Sequence, residues 1–344
     1  MRKLLLLFST VVALLLCACS GLNGFIGYTY DDPDNYTVGN AVVLETIKEV
    51  DIDWINGEVI LLPADGNDIS FREEANRDLD DDEVIRWVVD GNTLKIKYMA
   101  SGIRTVENLT KELTVYLPKD VYDSIEISTV SAEITVTDVA CDEFEADTTS
   151  GSISAAELSA TEIDVSTISG TVSLSVSEKD ADSIELDSTS GDLNLYISSC
   201  RRLVANTVSG KIHVTADGNL YEADLDTTSG EIICQGGKIV YTSTVSGLIQ
   251  LAPSESYEKC EADSTSGDVI LYLSENVGFE LNFDSVSGDY SSELPLTKDG
   301  GKLVYDNENA KIEVDTVSGD LSIHKTVTSD ENTDSENRGV GRYS

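Results

Sequence analysis

The sequence predicts an all-β solenoid, a parallel β-helix built of about twenty residues per repeat, on three observations. A Ser-Gly step recurs at near-constant spacing, alternating β-branched runs flank it, and the pattern decays at both ends. The step falls at Gly151, Gly170, Gly191, Gly210, Gly230, Gly247, Gly267, Gly288 and Gly319, with gaps of 17–21 residues and a last gap of 31. A fixed period near twenty marks stacked repeats, each too small to bury an apolar face alone.

The text around each step is alike, as in SIELDSTSGDLNLYI (183–197), LVANTVSGKIHV (203–214) and FELNFDSVSGDY (279–290). Alternation rich in β-branched residues reads as strand, and Gly supplies backbone freedom where two strands meet at a corner. Each repeat is thus strand, Ser-Gly bend, strand and looser turn, laddered to its neighbours at about 4.8 Å per rung. A second period lies inside the first. Four residues before Gly stand Asp147, Ser166, Asp187, Asn206, Asp226, Ser243 and Asp263; two before it stand Thr149, Ile168, Thr189, Val208, Thr228, Val245 and Thr265. The repeats therefore pair into units near forty residues. If one coil is twenty residues, alternation keeps carboxylates two rungs apart and out of side-by-side repulsion. If one coil is forty, the two versions are different corners, each stacked on its own kind. The linked Thr/Val switch leans toward forty.

The elements follow in order. Arg2 and Lys3 precede an apolar run too short for a comfortable membrane span. It closes in Leu16-Cys17-Ala18-Cys19, which resembles a bacterial lipobox: residues 1–18 form a lipoprotein signal peptide, and the resemblance implies cleavage and diacylation at Cys19. Residues 19–40 are the lipidated Cys and a Gly/Asn/Asp/Pro-rich tether. Residues 41–125 read as an N-terminal β cap with the first coils, in which DIDWINGEVIL (51–61) is an early copy with Asn-Gly at the bend. Residues 126–325 hold the Ser-Gly repeats, beginning with STVSAEITV (128–136), where Ala132 replaces Gly. LVYDNENAKIEV (303–314) aligns as a degenerate copy with Ala310 at the Gly place, which would account for the long last gap. Residues 326–344 are polar and read as a disordered tail.

LTVYLPKDVYDSIEISTVS (113–131), with the Ser-Gly copies after it, resembles a bacterial β-strand-repeat family labelled "putative adhesin", of undefined function. The likeness spans roughly residues 45–325. It implies a right-handed β-solenoid in a surface or membrane-associated protein and brings no catalytic residues.

The formal charge is −40; loss of Arg2 and Lys3 with the leader takes −40 to about −42. Such a field repels nucleic acid and anionic headgroups, and it attracts divalent cations or basic partners. Four cysteines remain beyond the leader: Cys141, Cys200, Cys234 and Cys260. They are either disulfides, with Cys234–Cys260 the most feasible pair, or small buried residues.

Chemistry is hard to find. His213 and His324 are the two histidines, each in an alternating run with no nucleophile motif beside it, so no Ser-His-Asp or Cys-His arrangement forms. Asp263, Asp268, Asp284, Asp289, Asp315 and Asp320 straddle three marked bends. They read as a solvated or structural set, as a Ca²⁺ site in the second place, and only last as a glycosidase dyad, because a catalytic pair is needed once while these recur. Tyr196, Tyr272 and Tyr290 follow bends at similar distances and are candidates for one stacking face. The expectation is a non-enzymatic, lipid-anchored envelope protein facing outside the cytoplasm, without cofactor, presenting a surface to a protein or glycan partner. An envelope sensor and a polysaccharide-active enzyme are the alternatives.

Overall fold

The computed structural model describes residues 28–103, 108–177, 181–307 and 309–326. The leader, Cys19 and the tail from residue 327 lie outside them. Strands dominate, and a 3-10 turn at Pro33–Asn35 is the one helical element among the described residues. The chain divides into two compact units, Met1–Gly191 and Asp192–Ser344.

Strand pairing settles the size of a coil. In the first unit Ile134 lies opposite Ile153, and Ile153 opposite Val172, an offset of 19 each time. In the second unit Asn206 faces Asp226, Asp226 faces Ser243, and Ser243 faces Asp263, offsets of 20, 17 and 20. One coil is therefore about twenty residues, and the expectation that leaned to forty is corrected. The Thr/Val switch misled because those side chains stand outside at the corner. Val130 and Val245 are 54% and 48% exposed, so their identity does not report on what stacks beneath.

Alternation puts one residue in two inside. Ile52, Ile127, Ala146, Val165 and Leu186 form one inward column of the first unit, rung upon rung, and all are fully buried. Burying such columns at about 25 cal/mol per Å² of apolar surface drives the stacking.

Both ends are interleaved out of chain order. In the first unit, strand Glu49–Pro63 lies between Val121–Thr137 on one side and Thr93–Lys97 with Lys111–Leu117 on the other. Antiparallel strands Ile69–Ala75 and Arg86–Asp90 then cover that outer coil. In the second unit, Ala310–Thr316 and Leu321–Lys325 slot between Lys259–Ser264 with Val269–Leu273 and Phe279–Ser285 with Tyr290–Ser292.

This corrects the reading of residues 303–314. Ala310 lies opposite Phe279, nine residues before Gly319, and does not occupy a bend. Lys302–Tyr305 instead pairs antiparallel with both Phe279–Ser285 and Thr297–Asp299. The long gap is an inserted hairpin.

Candidate functional site

The bends come first, since they set where outward side chains stand. None of the nine Ser-Gly glycines has a left-handed φ, so backbone freedom is not why Gly is there. A Cβ on Gly170, Gly230 or Gly247 would lie 1.8, 1.7 or 1.5 Å from the carbonyl oxygen of the glycine one coil earlier. Glycine is demanded by close backbone approach. Three residues before it, a Ser or Thr hydroxyl accepts the glycine N–H at 2.7–3.1 Å, as at Thr148, Ser188, Thr207, Thr227, Thr244, Ser264, Ser285 and Thr316. The Ser just before Gly donates across the gap: Ser190 to the Ile168 carbonyl at 3.1 Å and Ser266 to that of Val245 at 3.2 Å. The hydroxyl columns close the corner's backbone hydrogen bonds.

On the first strand of each coil, outward residues of the first unit form two polar columns. Six residues before the bend, Asp51, Glu126, Glu145, Asp164 and Glu185 lie opposite one another in turn. Five carboxylates therefore succeed each other at the rung spacing, about 4.8 Å. Partial burial and then Asp51 and Asp53 push the Glu126 carboxyl up. Partial burial and then Asp147 do the same to Glu145. Asp164 rises to about 6, by partial burial and then by Glu185, Asp147 and Asp187. The neighbouring column alternates as Asp53, Ser128, Asp147, Ser166, Asp187, and Ser166 donates its hydroxyl to Asp147. Here a hydroxyl between carboxylates relieves repulsion. In the five-acid column no described residue does so beyond the first rung, where Lys95 lies opposite Asp51 and Lys97 lies 2.9 Å from Asp51 and also bonds Asp53.

The second unit carries a weaker version. Val204, Asp224, Tyr241, Glu261, Glu313 and Asn282 form the first column, and Asn206, Asp226, Ser243, Asp263, Asp315 and Asp284 the second. Asp226 is pushed to about 6 by partial burial and then by Asp224. Lys259 bonds Glu261 at 2.6 Å and sits 4.9 Å from the Tyr241 ring centroid.

The six aspartates singled out from the sequence fall into two columns. Asp263, Asp315 and Asp284 stand before the bend, in that order. Asp268, Asp320 and Asp289 stand after it, where Asp268 accepts the Asp320 N–H and Asp320 accepts the Asp289 N–H, both at 2.9 Å. Two of the latter carboxylates are thus engaged with backbone. No group of three or more His, Cys, Asp or Glu arranged to hold a metal ion occurs among the described residues. Tyr196 and Tyr272 both stand five residues after a bend. Tyr272 stacks on His324 at 5.4 Å, while Tyr290 lies opposite the inward Leu321 and belongs to another face. Cys141, Cys200, Cys234 and Cys260 are buried and form no disulfide, and burial pushes the Cys234 thiol up to about 12, leaving it protonated and inert.

One cluster escaped the sequence reading. Lys111, with no exposed side-chain surface, reaches Glu73 at 2.7 Å and the Glu83 carbonyl at 2.8 Å, and bonds the Tyr98 carbonyl. Its ammonium lies 4.2 Å from the Tyr98 ring centroid and 5.0 Å from that of Trp54. Arg77 holds Glu83 down at about 2, chiefly by hydrogen bonding. All three Lys111 donors are used inside the cap, so the cluster locks the cap and offers no open chemistry. The available signal was a lysine in the inward phase of KELTVYL (111–117).

Stacked twenty-residue coils, hydroxyl-closed glycine bends and outward polar columns define an all-β solenoid repeat protein. The chain belongs to the Toastrack DUF4097 family, whose sequence profile matches residues 47–235 and 216–324. Three solved structures are similar to it. A "putative cell adhesion protein" from Clostridium sporogenes ATCC 15579 shares 9% identity over 84% of this chain and 100% of that one, with a TM-score of 0.19. A "putative adhesin" from Bacteroides fragilis NCTC 9343 shares 14% over 83% and 96%, with a TM-score of 0.30. A "putative lipid binding protein" from Parabacteroides distasonis ATCC 8503 shares 12% over 84% and 96%, with a TM-score of 0.28. No curated protein matches the chain. No helix among the described residues is long and apolar enough to cross a membrane.

Proposed function

We propose that this is a non-enzymatic lipoprotein of the bacterial cell envelope that binds the cationic groups of a protein or glycan partner along its carboxylate columns. The observation that carries the reading is the five-rung column Asp51, Glu126, Glu145, Asp164, Glu185. Like charges directly opposite are destabilising, and from Glu126 to Glu185 they recur with no intervening donor among the described residues. A partner that lays amines or guanidinium groups along the column removes that cost, and an evenly repeated surface suits an extended ligand better than a single reacting bond. Lipid on Cys19 would hold the protein at a membrane, as the signal sequence implies.

The test joins a glycan array to pull-downs from envelope extracts, using the wild type and a Glu126→Lys/Glu145→Lys/Asp164→Lys variant. Saturable, salt-sensitive binding by the wild type and its loss in the variant are expected. Equal binding by both would remove the reading. For the anchor, Cys19→Ala should move the protein from the membrane fraction to the soluble fraction; continued membrane retention would refute it.

A further inference from the structure

The two stacks end differently. In the first unit the outermost coil is covered along both of its strands, by Arg86–Asp90 over Thr93–Lys97 and by Ile69–Ala75 over Lys111–Leu117. In the second unit the outermost coil is half covered. Its strand Phe279–Ser285 pairs along its whole length with Ala310–Thr316. On its other side only residues 279–281 are paired, with 303–305. From residue 282 to 285, and along Tyr290–Ser292 past the bend, that side has no partner strand among the described residues.

The core is uncovered at the same place. Phe283, Ser285 and Tyr290 continue the inward columns of Val314, Thr316 and Leu321. Those three are buried, yet Tyr290 is 40% exposed, Phe283 and Ser285 are only half-buried, and the two rings meet edge-on at 6.1 Å. Val286 at the corner is 82% exposed. Exposed sheet edges are usually blunted by lysine, proline or a covering element, and NFDS and YSS contain neither residue.

Charge says what fits. A strand added here becomes the next rung. It would sit about 4.8 Å from Asp284, which already follows Asp263 and Asp315, and beside Asp289, which follows Asp268 and Asp320. A further acid would extend two rows of like charge, whereas Lys or Arg would neutralise them. A second copy would bring its own acidic rung and a net charge of −40. Independently of the carboxylate column of the first unit, we propose that the half-open end at residues 282–292 takes an extended, basic segment of a partner polypeptide by strand addition. Alternate apolar residues of that segment would cover Phe283 and Tyr290.

The probe is a blocked twelve-residue peptide alternating lysine and valine, compared with a version methylated on successive backbone nitrogens and one with glutamate for lysine. Fluorescence anisotropy against the purified protein should show saturable binding of the first and at least tenfold weaker binding of the methylated peptide. The glutamate peptide should not bind. An Asp284→Lys/Asp289→Lys variant, altered at two exposed positions, should reverse the lysine-over-glutamate preference. In the wild type, hydrogen exchange should slow at 282–292 when the lysine peptide is present, a readout that needs no variant. Equal affinity of the methylated peptide, protection elsewhere only, or an unchanged preference in the variant would overturn the proposal. So would sedimentation showing self-association that Phe283→Lys abolishes, which would assign the end to a second copy.

Discussion

At Gly230 one methyl group decides whether the corner can form. Its Cβ would sit 1.7 Å from the Gly210 carbonyl oxygen, so Gly230→Ala must push two coils apart. We expect a loss of roughly 1–3 kcal/mol, the usual cost of overpacking, read from urea midpoints. Gly66→Ala, where nothing lies within 4 Å, should stay within about 0.5 kcal/mol as ordinary surface changes do. Equal effects at both positions would show that the close approach is tolerated. The glycines were plain in the sequence, but their reason was not. A left-handed corner and a carbonyl packed against a Cα demand the same letter, and only the fold tells them apart.

At the scale of the strand, outward columns couple stability to pH. Asp164 and Asp226 titrate near 6 when folded against 3.8 in the ordinary carboxyl. Between those values the folded chain holds protons that the unfolded chain has released, so stability rises as pH falls from 7 toward 4 and is lost again as pH climbs through 6. Glu83, held near 2 by Arg77 against an ordinary 4.5, works the other way once pH falls below about 4.5, because the unfolded chain then takes up a proton there that the folded chain refuses; the comparison of pH 5 with pH 7 lies above that range. Urea midpoints should be higher at pH 5 than at pH 7; the reverse order would contradict the crowding. The cap makes a second case. Lys111→Met would leave Glu73, whose side chain is 6% exposed, as an uncompensated buried carboxylate, at a cost of about 3–5 kcal/mol. Full stability of that variant by thermal melting would show that Glu73 is solvated after all. The alternating Asp/Ser column was legible because it varies within a fixed frame. The five-acid column two residues earlier was overlooked because Val204, Tyr241 and Asn282 break it in the second half. Lys111 was masked by sitting in a short strand outside the Ser-Gly frame.

At the scale of the whole chain, class and approximate coil positions followed from periodicity, because every coil solves the same packing problem. The order of coils did not follow, since the interleaved strands at each end obey pairing partners far away in sequence. A chain cut after residue 292 loses the strands 310–325 that flank Phe279–Ser285. We expect hydrogen exchange of 279–292 to become fast while 199–264 stays protected; continued protection of 279–292 would mean that it can dock directly on 259–273. The same interleaving limits how such a chain can change its length. A new copy appended after residue 325 would meet a slot already filled, and one placed before residue 49 would meet a strand hemmed in on both flanks. Duplications and deletions should therefore be tolerated only in the middle of each run, with the outermost lap of each unit a fixed bookend and the number of pages behind it free to drift.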